Sequence, residues 1–118
     1  MKSENKQENF LEYIPITNFK WRISEETNKV IVERPKFDNA ILKKYLLPYF
    51  KKQNFDVKLD DFGSFVWQKI DGEKNIYEIA LELEKEYGEK VQPVYERSSQ
   101  FIKHLHQQRF VLYKKAID

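Results

Sequence analysis

Short stretches of alternating apolar and polar residues in the N-terminal half predict half-buried β-strands. Residues 19–23 alternate apolar and basic side chains, and a polar connection over residues 24–29 leads to the β-branched run of residues 30–32. This arrangement is typical of a hairpin. Residues 55–59 alternate in the same way and predict a third strand.

Helical spacing replaces this alternation from residue 59 onward. The first predicted helix begins at Asp60 or Asp61 and ends near Gly72, and the second begins with a capping box formed by Asn75 and Glu78. A third helix begins near residue 93. The apolar stripes are Leu59, Phe62, Val66 and Ile70 in the first helix, Ile76, Ile79, Ala80, Leu83 and Tyr87 in the second, and Val94, Ser98, Phe101 and Leu105 in the third.

Residues 37–50 give a mixed signal, because apolar residues recur at helical spacing while Pro48 interrupts the run. We predict a short helix ending near Leu47, and a short strand or packed extension over residues 110–113. Three strands followed by three helices indicate an α+β fold related to winged helices. We expect residues 1–15 to form an N-terminal extension and residues 16–118 to form a single domain, with a basic insert at about residues 34–54.

The composition is that of one folded domain, since 118 residues with 41% apolar and 15% aromatic side chains can bury one core. Cysteine is absent and the histidines are His104 and His106, which excludes disulfides, a thiol nucleophile and a Cys/His zinc site. No apolar run approaches the roughly 20 residues that cross a bilayer, and the N-terminus lacks a signal-peptide core. We therefore expect a cytoplasmic protein.

The net charge of +2 conceals a basic central segment. Residues 34–59 carry seven Lys and Arg side chains against two Asp side chains. Such a segment could meet phosphates, an anionic membrane surface or an acidic peptide, or it could be an ordinary solvated face. The candidates for docking a partner are Lys43, Lys44, Lys51 and Lys52.

Motifs for catalysis are missing from the sequence. It has three glycines and no glycine-rich phosphate loop, and no Ser/His/acid arrangement can be recognised from spacing. Glu82 and Glu86 lie one turn apart on a helix exterior, where a solvated face explains them better than a metal site. We predict no catalysis, no cofactor and no metal.

The C-terminal half resembles the PqqD family. The resemblance rests on residues 57–72, which contain an acidic helix start, a glycine, Trp67 and the triplet Ile70-Asp71-Gly72. It continues through the capped Glu-Ile helix start of residues 75–80, the Tyr-Gly pair of residues 87–88 and residues 101–105 of the last helix. Altogether it covers about residues 55–110, roughly half of the chain.

The resemblance implies a winged helix-turn-helix domain, in which a three-stranded antiparallel sheet precedes a three-helix bundle. Such domains are non-catalytic recognition elements for ribosomally made precursor peptides. The leader peptide binds as an added strand on the third strand, against the third helix, and is presented to a modifying enzyme, often a radical-SAM protein. In this sequence the edge would consist of Phe55, Asp56, Val57, Lys58 and Leu59, and the helix wall would lie within residues 94–107.

Within that helix, Tyr95, Ser99, Ile102 and His106 follow a line about 100° round from the core stripe and are the candidate wall. Core packing explains Ile102 equally well. The alternatives are a winged-helix DNA-binding regulator and a structural interaction module. DNA is disfavoured because the permanent cations of the third helix are only Arg97, Lys103 and Arg109. The sequence leaves undecided whether the protein forms a homodimer.

Overall fold

A computed structural model of the chain describes residues 9–36, 44 and 54–114. The strands are β1 (Ile14–Thr17), β2 (Lys20–Ile23), β3 (Val30–Pro35), β4 (Asn54–Lys58) and β5 (Val111–Lys114). The α-helices are α1 (Asp61–Lys69), α2 (Ile76–Tyr87) and α3 (Val94–Gln107). Two 3-10 turns, Asn9–Glu12 and Gly88–Val91, precede β1 and α3 respectively.

The described strands form two antiparallel sheets. Strands β2, β3 and β4 make a three-stranded sheet in that order, which confirms the predicted hairpin and third strand. The mixed α+β class is confirmed as well. The expectation of three strands followed by three helices was incomplete, because β1 and β5 pair with each other in a second sheet. The other strands and the three α-helices lie between β1 and β5 in sequence. The separation of β1 and β5 along the chain leaves no local hairpin signal between them.

Helix α1 crosses the three-stranded sheet from β4 towards β2. The Asp60 side chain accepts a hydrogen bond from the Gly63 N–H at 2.7 Å and caps the first turn. One residue later, the buried Ser64 hydroxyl accepts from the Val30 N–H at 2.9 Å and so ties the helix to β3. The Trp67 ring then meets Trp21 of β2 edge-to-face, with ring centroids 6.5 Å apart. The N-terminus of α1 therefore lies at the β4 side of the sheet.

Helices α2 and α3 close the core over this sheet. Asn75 and Glu78 form the predicted capping box at the start of α2. At its far end Gly88 has a φ of 60°, a left-handed conformation that glycine tolerates. The buried cluster includes Val30, Val32, Val66, Trp67, Ile76, Ile79, Leu83, Val94, Ile102, Leu105 and Val111. Apart from the half-buried Phe101, the predicted stripe of the third helix lies in the core.

Ion pairs join α1 to α2 on the outside of this bundle. The Lys69 ammonium lies 3.6 Å from a Glu82 carboxylate oxygen and 3.0 Å from one of Glu86. The hydrogen bond that Lys69 donates to Glu86 raises the pKa of Lys69, and Coulombic attraction from both carboxylates adds to this effect. The two glutamates therefore hold two helices together.

Several expectations concern residues outside those described. The predicted helix ending near Leu47 lies there, as does most of the basic insert. Lys44 is described, and it is exposed in helical conformation. The domain boundary at residue 15 stays a prediction, and β1 straddles it. None of the described helices is both long enough and apolar enough to span a membrane.

Candidate functional site

Strand β4 forms one edge of the three-stranded sheet, as far as the structure describes the chain. The Leu59 N–H donates to the Val30 carbonyl at 3.0 Å, which fixes where the antiparallel hydrogen-bonding alternation starts. With Val57 opposite Val32 and Lys58 opposite Ile31, the backbone of Val57 faces β3 and that of Lys58 faces outward. The edge therefore presents its backbone groups at alternate residues.

The two faces of β4 differ in polarity. Phe55, Val57 and Leu59 point towards the helices. Phe55 itself is half exposed, at 50%. The Lys36 ammonium lies 4.6 Å from the centroid of the Phe55 ring. We call Phe55, Val57 and Leu59 the apolar strip. It gives an added strand a surface on which alternate apolar side chains can pack.

The opposite face of the sheet is charged. Arg22 of β2 donates to Glu33 of β3 at 2.7 Å and to Asp56 of β4 at 3.0 Å. These hydrogen bonds, the one to Asp56 first, raise the pKa of Arg22. One guanidinium thus connects all three strands on the side away from the helices.

Beyond the end of β4 stands a cluster of two aromatic rings and one cation. The rings of Phe62 on α1 and Phe101 on α3 meet edge-to-face, with centroids 6.1 Å apart. The Arg97 guanidinium lies 4.0 Å from the centroid of Phe62 and donates to the Lys90 carbonyl at 3.3 Å. We call Phe62, Arg97 and Phe101 the Arg97 cluster.

Gly63 allows this cluster to approach the strand. A Cβ atom at Gly63 would lie 3.0 Å from Phe101 Cζ and 3.3 Å from Leu59 Cβ. A side chain there would therefore push α3 away from the end of β4. The Gly63 position therefore brings Phe101, and with it the Arg97 cluster, next to Leu59 at the end of β4.

The candidate wall residues taken from the sequence have other partners. The Tyr95 ring stacks on Tyr77 of α2 with centroids 5.5 Å apart, and its hydroxyl lies 3.4 Å from a Glu84 oxygen. Desolvation by these neighbours, followed by the Glu84 charge, raises the pKa of Tyr95. Ser99 is half-buried, and Ile102 is fully buried in the core.

His106 is part of an aromatic group built by the N-terminal turn and β5. Its ring stacks on Tyr113 at 4.1 Å, and Tyr113 meets Tyr13 at 5.0 Å and Phe10 at 6.1 Å. Burial raises the pKa of Tyr113 to about 12. The N-terminal segment and β5 thus lie beside His106, which is exposed.

These contacts favour a different helix wall from Tyr95, Ser99, Ile102 and His106, which stay a prediction. Tyr95 and His106 contact α2 and β5, whereas Arg97 and Phe101 lie on the side of α3 that reaches the end of β4. The sequence interpretation placed Phe101 and Phe62 in the core and counted Arg97 only as a charge. The signal that pointed to them is Gly63, a glycine in the first turn of a helix, where close approach of another element is a common reason for glycine.

Two other kinds of site concern metal binding and the docking lysines. No group of three or more His, Asp or Glu side chains there is arranged to hold a metal ion. Of the four candidate docking lysines, Lys43, Lys51 and Lys52 lie outside the described residues, and Lys44 is exposed.

The fold and this edge define a small α+β domain with a strand edge beside a helical layer. The family model described as "Coenzyme PQQ synthesis protein D (PqqD)" matches residues 51–111, which is more than half of the chain. The chain belongs to the PqqD family, and the resemblance found in the sequence is confirmed. Searches of curated proteins and of solved structures gave no match to the chain.

Proposed function

We propose that this protein is a non-catalytic adaptor that binds the leader of a ribosomally made precursor peptide as an added strand on β4. It then presents the peptide to a modifying enzyme, of the radical-SAM class. Membership of a family of accessory proteins in PQQ synthesis supports the adaptor role. The observation that carries the proposal is the outward-facing backbone of Lys58, next to an apolar strip whose first residue, Phe55, is half exposed.

The physical basis is the pairing of an edge strand with an extended peptide. Backbone hydrogen bonds to the edge give affinity, and alternate side chains of the peptide pack on the apolar strip and give selectivity. The Arg97 cluster would form the wall beside the peptide, in place of Tyr95, Ser99, Ile102 and His106. The edge residues remain Phe55, Asp56, Val57, Lys58 and Leu59.

A titration with isotope-labelled protein tests this proposal. The ligands are the short peptides encoded beside the gene, and amide shifts locate the contact. We expect shifts along residues 55–59 and at Arg97 and Phe101. If no peptide shifts these amides, while duplex DNA gives a salt-sensitive response, the protein is a winged-helix regulator instead, because phosphate contacts weaken steeply with salt.

Proline variants of β4 distinguish the backbone donors at the free edge from those that pair with β3. Lys58→Pro deletes a backbone donor that points outward, so the fold should persist while peptide affinity falls. Lys58→Ala is the control for the lost side chain and should bind the peptide as the wild type does. Val57→Pro deletes a donor that faces β3 and should unfold the sheet. Wild-type peptide affinity in a folded Lys58→Pro variant would contradict strand addition.

We further propose that the basic insert within the 16–118 domain docks the modifying enzyme. Reversing the charge of Lys43, Lys44, Lys51 and Lys52 should then weaken the complex with the enzyme and leave peptide affinity at β4 unchanged. Unchanged enzyme binding would return this segment to a solvated face.

A further inference from the structure

We infer that the site selects extended peptides that carry a carboxylate side chain opposite Arg97, four residues from an apolar side chain that packs on Phe55. This inference rests on the proposed function and adds the chemical class of the peptide. It follows from the place of the Arg97 cluster and from the spacing of the apolar strip.

Arg97 is held in position and lacks an acidic partner. Its guanidinium lies over the Phe62 ring at 4.0 Å and donates one hydrogen bond to the Lys90 carbonyl. Among the described residues, no Asp or Glu side chain forms an ion pair with it, although Arg22, Lys29, Lys69 and Lys74 all have such partners. The Arg97 residue as a whole is half-buried. A guanidinium with remaining donors recognises a carboxylate well, because its planar fork can form two parallel hydrogen bonds.

The position of Arg97 relative to β4 sets the spacing between the acidic and the apolar side chain of the peptide. The Gly63 contacts place Phe101 and Leu59 around one point, so the Arg97 cluster stands at the Leu59 end of the strip. Phe55 lies at the other end, two side-chain repeats away on the same face. A paired peptide strand keeps this repeat, so the residues beside Phe55 and beside Leu59 are four apart in the peptide. The residue between them faces Val57 and should be apolar.

A random 12-residue peptide library, displayed on phage and panned with the full chain, tests the inference. We expect the binders to share an Asp or Glu four residues from an apolar residue, with a second apolar residue midway between. Replacing that acid by its amide in a synthetic binder should weaken binding about tenfold, which is the scale of a charge-assisted hydrogen bond. Amide shifts of the labelled protein show whether the binder lies on β4.

Two matched variants assign the selectivity to one cation. Arg97→Gln should bind the acid and amide peptides equally. Lys103→Gln should keep the tenfold preference, since Lys103 is also a cation near a ring, with its ammonium 5.7 Å from the centroid of Phe10, but on the side of α3 that faces the N-terminal turn. Arg97→Lys should keep part of the preference, because it retains the charge without the fork.

The outcomes separate this inference from the adaptor function. Binders that shift the β4 amides but show no acid preference would overturn the inference and leave the adaptor function standing. An acid selected at the Phe55 end, or a preference that survives in Arg97→Gln, would overturn it too. If no binder shifts the β4 amides, both fail together. The comparison of acid and amide peptides uses the wild-type chain, so it holds even if Arg97→Gln does not fold.

Discussion

Two buried serines allow the same substitution to be compared in two environments. Ser64 on α1 is 2% exposed, and its hydroxyl accepts the Val30 N–H at 2.9 Å. Ser98 on α3 is fully buried, and its hydroxyl has no hydrogen-bond partner. Both lie inside helices, so replacement by alanine gains the same few tenths of a kcal/mol in helix propensity, about 0.5. The difference between the two variants therefore reports the hydrogen bond.

We expect Ser64→Ala to lower the free energy of unfolding by about 1–2 kcal/mol, because it leaves the Val30 N–H buried without an acceptor. The Val30 carbonyl accepts from the Leu59 N–H, so the Val30 backbone faces β4 here, and its N–H donates to the Ser64 hydroxyl. Ser98→Ala should leave stability unchanged or raise it by up to about 1 kcal/mol, since it removes a hydroxyl that was buried without a partner.

Urea denaturation followed by circular dichroism measures both effects. With a slope of about 1–3 kcal/mol per M for a domain of this size, Ser64→Ala should lower the midpoint by roughly 1 M. The slopes of the two variants should match that of the wild type, which confirms that the same surface unfolds. If Ser64→Ala is as stable as Ser98→Ala, the reasoning about α1 and β3 is wrong.

Three further predictions concern packing and pH. Gly63→Ala brings a methyl carbon to 3.0 Å from Phe101 Cζ. Overpacking should then lower the free energy of unfolding by about 1 kcal/mol, after the gain in helix propensity is included. A urea midpoint at or above that of the wild type would contradict this. Hydrogen bonds from the backbone of Lys74 and Glu73 lower the pKa of Asp71 to about 2, so its stabilising contribution is present above the ordinary value of 3.8 and is lost as pH falls to about 2. Asp71→Asn should therefore be less stable than the wild type at pH 7, and this gap should shrink as pH falls from 3.8 through about 2; a gap as large at pH 2 as at pH 7 would refute the linkage. Burial raises the pKa of Tyr113 from 10.0 to about 12, so stability should decline between those values as the unfolded chain ionises first. Tyr113→Phe should reduce that decline; a Phe variant with the same alkaline decline would exclude Tyr113 as its cause.

The strands and helices of the core could be predicted because their signals are local. The caps at Asp60 and Asn75 and the periodic stripes depend on residues within a few positions of each other, and the structure confirms them. The pairing of β1 with β5 could not be predicted in this way. It depends on two four-residue segments near opposite ends of the described chain.

The choice of the helix wall depends on information of a different kind. A periodic pattern shows which side of α3 is apolar, but it does not show which neighbour lies to the left or right of that side. Ring contacts with Tyr77 and Tyr113 place one flank against α2 and β5. The Gly63 contact places the other flank at β4. The sequence shows Arg97 only as one of several positive charges, whereas the structure places it over the Phe62 ring.

The β1–β5 ribbon has a consequence for the order in which the chain folds. Ile14 pairs with Lys114 and Thr17 pairs with Val111, so the ribbon joins residues about as far apart in sequence as the described chain permits. Closing such a long loop is slow compared with forming helices or the β2–β3 hairpin. During synthesis on the ribosome, β1 emerges early and must wait for β5. We therefore expect the N-terminal strand and its turn to join the fold late, after the core and the β4 edge have formed.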